Sequence, residues 1–127
     1  MKILLDTCTF LWLAGGGSLS HEATDVIRTP ANEVFLSAAS VWEIVTKFER
    51  GRLPLPASPE RLIPDARRVR GVTALAFDET SALQGRRLPW LHRDPFDRML
   101  IAQAIAHGLA IVTPDPLIGQ YPVRVIW

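Results

Sequence analysis

Four acidic residues, Asp6, Glu43, Asp97 and Asp115, stand where structural elements are expected to begin or end. Asp6 closes the apolar run Ile3-Leu4-Leu5, and Asp115 follows the run Leu109-Ala110-Ile111-Val112. Carboxylates just past the ends of parallel strands face the crevice in which open α/β sheets bind ligands. A cluster of hard oxygen donors there suits a Mg²⁺ or Mn²⁺ ion. The chemistry such a site supports is metal-assisted attack on a phosphate.

The elements that must position these acids follow from pattern and punctuation. Buried strands are expected at Lys2–Leu5, Val34–Leu36, Val72–Leu75, Leu109–Val112 and Val123–Ile126. Between them lie helices: one from a Thr7 cap through Trp12 and Leu13 to the Gly15-Gly16-Gly17 break, and one from Ser20 to before Pro30. Others run from Ser37 to about Arg50, from Pro59 to Val69, from Asp78 to about Arg87, and from Pro95 to His107, the last closed by Gly108. The connector 52–59, rich in proline, is too short to separate domains. Strands alternating with helices predict one α/β domain over residues 1–127, with a mostly parallel sheet of four or five strands covered on both faces.

Asp97 makes the strongest single case. With Phe96 set at zero on a helical wheel, Asp97 falls at about 100°, inside the arc of Leu100, Ala104 and Ile101. A carboxylate on such a face needs a cation or a set of donors. Its competing role is an acid in the first turn, behind Asp94 as cap and Pro95 at the first helical position. Asp6 could cap the first helix, but Thr7 can already do so. Glu43 could form an exposed pair with Lys47 one turn on, although its small neighbours Ala39 and Ser40 would leave room for a ligand. Asp115, in Thr113-Pro114-Asp115-Pro116, could shape a turn, and Thr113 could add a hydroxyl to the same crevice.

Other candidates read as structural. His21, His92 and His107 are scattered without metal-ligand spacing, Cys8 reads as a small packed thiol, and Trp12, Trp42, Trp90 and Trp127 as core or interface residues. One cysteine among 127 residues excludes a disulfide framework within the chain and fits a reducing cytoplasm. No stretch approaches the length of a membrane span, and an acid at position 6 comes too early for a secretory signal. The net charge of +1 conceals an asymmetry. Residues 61–100 carry eight arginines (Arg61, Arg67, Arg68, Arg70, Arg86, Arg87, Arg93 and Arg98) against five acids, an arrangement suited to a polyanion cut beside an acidic centre.

Ile3-Leu4-Leu5-Asp6-Thr7, Ser37–Ile44, the segment His92–Ala104 and Thr113-Pro114-Asp115 together resemble a PIN domain, of the VapC-type toxin subgroup, over essentially the whole chain. The resemblance implies a Mg²⁺- or Mn²⁺-dependent cytoplasmic endoribonuclease whose four metal-binding and catalytic acids match Asp6, Glu43, Asp97 and Asp115. It makes Asp94 a supporting or capping acid. It also implies an RNA substrate, a homodimer, and a VapB-type antitoxin lying in an apolar groove walled by the helices around Trp12 and Trp42–Phe48. Arg86, Arg87, Arg93 or Arg98 would hold flanking phosphates. With four acids crowded and no metal, at least one is expected to keep its proton near neutrality. Cys8 stands where related toxins often carry His, and Pro114 stiffens the loop bearing Asp115. Two other functions fit the residues: a phosphohydrolase using Asp6 as nucleophile, for which the usual second acid two positions on is replaced by Cys8, and a non-catalytic RNA- or protein-binding module.

Overall fold

A computed structural model describes all 127 residues. Five strands, β1 (Lys2–Leu5), β2 (Glu33–Ser37), β3 (Val72–Leu75), β4 (Ala110–Val112) and β5 (Val125–Ile126), form one sheet in the order β3-β2-β1-β4-β5. Every pairing is parallel, so all five strands deliver their C-terminal ends to the same edge. The chain fills the sheet outward from β1 to β3, then returns to lay β4 on the other side of β1. That reversal leaves a crevice between the ends of β1 and β4, the switch point at which such sheets bind ligands.

The central strands are apolar throughout because both faces are covered. Ile3 and Leu5 of β1, with Ala110 and Val112 of β4, join a cluster containing Phe10, Ala23, Ile44 and Ile63. These four come from α1 (Thr7–Gly15), α2 (His21–Arg28), α3 (Ala38–Glu49) and α4 (Pro59–Arg70). Leu4 and Ile111, pointing the opposite way, pack with Leu100, Ile101 and Ala104 of α6 (Pro95–His107). α5 (Glu79–Gln84) lies against α6. The result is three layers, and period-2 alternation along β1 and β4 decides which layer each side chain meets.

Element boundaries follow local chemistry. Gly108 closes α6 in the left-handed conformation, at φ 66°, where a β-carbon would be strained. The helix expected from Asp78 to Arg87 loses α geometry at Gly85 and continues as a single 3₁₀ turn over Gly85–Arg87. The last strand is shorter than expected. Pro122 offers no N–H, and Val123 turns back to bond the Tyr121 carbonyl, so pairing resumes only at Val125. No helix is long and apolar enough to cross a membrane.

Candidate metal and active site

Asp6 leaves β1 and caps α1 itself. Its Oδ1 accepts the Thr9 N–H at 2.8 Å, while Oδ2 accepts the Thr113 hydroxyl at 2.6 Å from the end of β4. This corrects the expectation that Thr7 would cap. The Thr7 hydroxyl instead donates to Glu43 Oε1 at 2.6 Å and lies 3.0 Å from Ser40 Oγ. Glu43 is therefore no exposed partner of Lys47: it is 5% exposed, held by Thr7 on one oxygen and by the Lys47 ammonium on the other.

Asp97 sits in the first turn of α6 behind Asp94, whose Oδ1 caps the helix by accepting the Phe96 and Asp97 N–H groups. Asp115 caps the following turn through Leu117 N–H at 2.9 Å, and its own N–H bonds Thr113 Oγ1. Thr113 thus ties Asp6 to the Asp115 loop, as its place in the sequence suggested. The turn role weighed for Asp115 falls to Oδ1, while Oδ2 faces His92 Nε2.

The side chain that joins these acids is one the spacing argument set aside. His92 Nε2 lies 2.8 Å from Asp115 Oδ2 and 3.1 Å from Asp97 Oδ2. Its Nδ1 accepts the Asp94 N–H at 3.2 Å, which puts the neutral ring's proton on Nε2, aimed at the two carboxylates. The ring is fixed from behind. The Tyr121 hydroxyl accepts the N–H groups of Leu91 and His92 and donates to the Pro89 carbonyl. Arg98 Nη1 binds the carbonyls of Pro89 and His92, and Nη2 that of Leu88. Arg98 is thus buried, with its guanidinium engaged by carbonyl oxygens. The only foresight available in the sequence was that His92 begins the loop leading into Asp94 and Asp97.

One correction concerns the rim, and the tryptophans divide between the two roles expected of them. Cys8 is exposed at the site, not packed. Trp42 and Trp90 are 64% and 78% exposed, whereas Trp12 and Trp127 pack on each other with ring centroids 5.9 Å apart.

Crowding shows in the protonation of the cluster. Asp97 is pushed up to about 7, first by burial and then by Asp94, with Asp6 and Glu43 adding and His92 opposing. Burial also raises Asp6, against the hydrogen bonds from Thr113 and Thr9, and Asp115 raises it further. The Cys8 thiol, open to solvent on one side, is pushed up to about 11 by partial desolvation on the other and by Asp6, Asp97 and Glu43. Carboxylates crowded until one is pushed toward neutrality form a negative pocket that a divalent cation would relieve.

The donor set fits a hard divalent ion. Carboxylate oxygens of Asp97 and Asp115 and the His92 Nε2 between them lie within 4.8 Å of one another. Of the four acids expected to hold a metal, Asp6 and Glu43 stand outside that group: Asp6 is linked to the Asp115 loop through Thr113, and Glu43 reaches Asp97 as a charge that helps to raise its pKa. Oxygen donors predominate, as Mg²⁺ and Mn²⁺ prefer.

Comparisons with known proteins agree with this architecture. Residues 3–122 match the PIN domain family. Ribonuclease VapC16 of Mycobacterium tuberculosis (strain ATCC 25618 / H37Rv) is 32% identical over 66 residues, 52% of this chain and 47% of that protein. The matched stretch spans less than half the length of the curated relatives it meets. Among solved structures, VapBC2 of Rickettsia felis bound to a promoter DNA fragment superposes with a TM-score of 0.70 at 13% identity, covering 98% of this chain and 97% of that one. VapBC-1 of nontypeable Haemophilus influenzae gives a TM-score of 0.70 at 15% identity, covering 98% and 96%. A five-stranded parallel sheet, an acid at the end of each of its two central neighbours and a family match over nearly the whole length lead to one conclusion: the chain belongs to the PIN domain family.

Proposed function

We propose that the 127 residues act as one Mg²⁺- or Mn²⁺-dependent endoribonuclease, the toxin half of a toxin–antitoxin pair working in the cytoplasm. What supports this reading is the grouping of Asp97 and Asp115 around His92 at the switch point, with Asp6 tied to the Asp115 loop through Thr113 and Asp97 pushed up to about 7 by burial and neighbouring carboxylates. Membership of the PIN family and the ribonuclease named among its relatives support it.

The residues divide the work by their partners. Asp97 and Asp115, with Asp6 beside them, would hold the ion, and Glu43 would complete the negative wall. When bound, the ion supplies a water of lowered pKa and neutralises charge at the phosphate. Thr113 and the Thr9 N–H keep the Asp6 carboxylate from rotating. The His92 Nε2 proton aligns Asp97 and Asp115 on one side of the crevice. Lys47 balances the charge of Glu43. Attack by water, not by the ribose 2′-hydroxyl, leaves a 5′-phosphate and a 3′-hydroxyl.

The partner reading rests on two surface hollows, the one beside Trp42 apolar and the one beside Trp12 mixed in character. Exposed Trp42 of α3 borders a hollow of about 510 Å³ with Val41, Val45 and Leu75, and Trp12 walls a second of about 620 Å³ beside α2. A helix or tail of a VapB-type antitoxin would fill such grooves and send a basic side chain to the acids. A homodimer completes the proposal. For the phosphohydrolase alternative, both Asp6 oxygens are engaged and the position two residues on is Cys8, so no observation favours it.

The test is cleavage of total RNA with end mapping by wild type and Asp97→Asn in Mg²⁺, Mn²⁺ and EDTA. Metal-dependent cuts bearing 5′-phosphates, lost in the variant, are expected. Equal cutting in chelator or by the variant defeats the mechanism.

A further inference from the structure

Beside the acidic crevice, on the outer side of α6, lies a groove of about 480 Å³ that the cleavage chemistry does not use. One wall is Trp90, the most exposed large apolar side chain of the molecule. Its ring is not loose. The Arg98 guanidinium carbon lies 3.7 Å from the ring centroid, and Arg98 is itself locked to the carbonyls of Leu88, Pro89 and His92. One face of the indole is therefore covered by a fixed cation and the other is open to solvent. The groove also carries Arg86 and Arg93, both exposed and neither within ion-pairing distance of a carboxylate.

A rigid aromatic face flanked by unpaired guanidinium groups is the composition of a single-strand nucleic-acid subsite. Stacking asks only for an unpaired base, because every base has a π-face, and the arginines supply sequence-independent phosphate contacts. The position is also right. Trp90 is two residues from His92, whose ring touches Asp97 and Asp115, and its stacking partner Arg98 directly follows Asp97. A strand with a phosphate in the crevice would pass a neighbouring nucleotide over this groove.

We propose that the open face of Trp90 is a stacking platform for one unpaired base of the RNA strand cut at the acidic crevice, with Arg86 and Arg93 holding the adjoining phosphates. The proposal rests on the ribonuclease reading and gives it a substrate form: single-stranded RNA or an exposed loop, not a continuous duplex. A ring buried between two copies of the chain is the competing use of the same surface.

The experiment measures binding apart from cutting. A fluorescently labelled single-stranded RNA oligonucleotide is titrated with the full chain in EDTA, alongside a duplex of the same length. Variants are Trp90→Ala, Trp90→Phe, Arg86→Ala and Arg93→Ala, each checked for folding by circular dichroism. Trp90→Ala should weaken single-strand binding about tenfold or more, from the usual worth of one stacked base. Trp90→Phe should keep most of the affinity, and duplex binding should not respond to either. Each arginine substitution should flatten the dependence of log affinity on log salt by about 0.7. Unchanged single-strand affinity in Trp90→Ala overturns the platform, and if sedimentation shows that variant converting dimer to monomer, the ring belongs to an interface. Trp90-dependent binding by a protein that cuts no RNA would keep the platform and sink the nuclease reading. Metal-dependent cutting by Trp90→Ala with unaltered KM would do the reverse.

Discussion

Replacing Asp97 by its uncharged isostere should make the metal-free protein more stable at pH 8, not less. In the folded chain Asp97 is raised from 3.8 to about 7 by burial and by Asp94. A folded carboxyl with a raised pKa binds a proton that the unfolded chain has already released, so stability falls as pH rises from about 4 to about 7 and is lowest above that. At 1.36 kcal/mol per pKa unit the ceiling is about 4 kcal/mol. The side chain is 20% exposed and touches His92, so screening cuts this to about 2 kcal/mol. Loss of a helix N-terminal charge takes back about 0.5 kcal/mol. With an unfolding entropy of about 0.27 kcal/mol/K for a chain this long, Asp97→Asn should raise Tm by about 5 °C at pH 8 in EDTA. At pH 5, where the folded carboxyl is mostly protonated, the gain should shrink to less than half. Millimolar Mn²⁺ should reverse the order, stabilising wild type by RT ln(1 + [L]/Kd) while leaving the variant nearly unmoved. The assay is differential scanning calorimetry across that grid of pH and metal. A variant less stable than wild type in EDTA at pH 8 would refute the reasoning, because it would mean that the carboxylate is already satisfied by its place at the start of α6.

Three further outcomes follow from particular contacts. Lys47→Ala strips the buried Glu43 carboxylate of its cation and should cost about 1–2 kcal/mol in urea unfolding without metal; no loss would show that Thr7 alone suffices. Tyr121→Phe leaves the Leu91 and His92 N–H groups without an acceptor. It should cost about 2–3 kcal/mol and weaken Mn²⁺ binding by calorimetry, since the loop that aims His92 loosens; a stability loss with unaltered metal affinity would separate His92 from the site. Cys8, exposed but pushed up to about 11, should alkylate with iodoacetamide at pH 8 at least about tenfold more slowly than free cysteine, and faster once Mn²⁺ offsets the neighbouring carboxylates. A rate equal to free cysteine would contradict the crowding of Asp6, Glu43 and Asp97 around it.

Much of this molecule was legible in its residues taken in order. Apolar runs of strand length, caps at Ser20, Ser37 and Asp94, and the closing Gly108 placed nearly every element, because backbone propensity and hydrophobic period act over a few residues. The same logic marked the four acids, since a carboxylate at a strand end or on an apolar helix arc stands out locally. Tertiary structure alone decided what each side chain meets. Thr113 reaches Asp6 across 107 residues only because β4 pairs with β1, and nothing in either segment encodes that pairing. Helical angle placed Glu43 correctly beside Ala39 and Ser40, yet could not say that Thr7 of another helix would stand opposite and bury it. His92 lacked any ligand spacing, and its role comes from a loop folded back by Tyr121 and Arg98. Periodicity gives the direction in which a side chain points from its own axis; the partner in that direction is supplied by a distant part of the chain, and only packing brings it there.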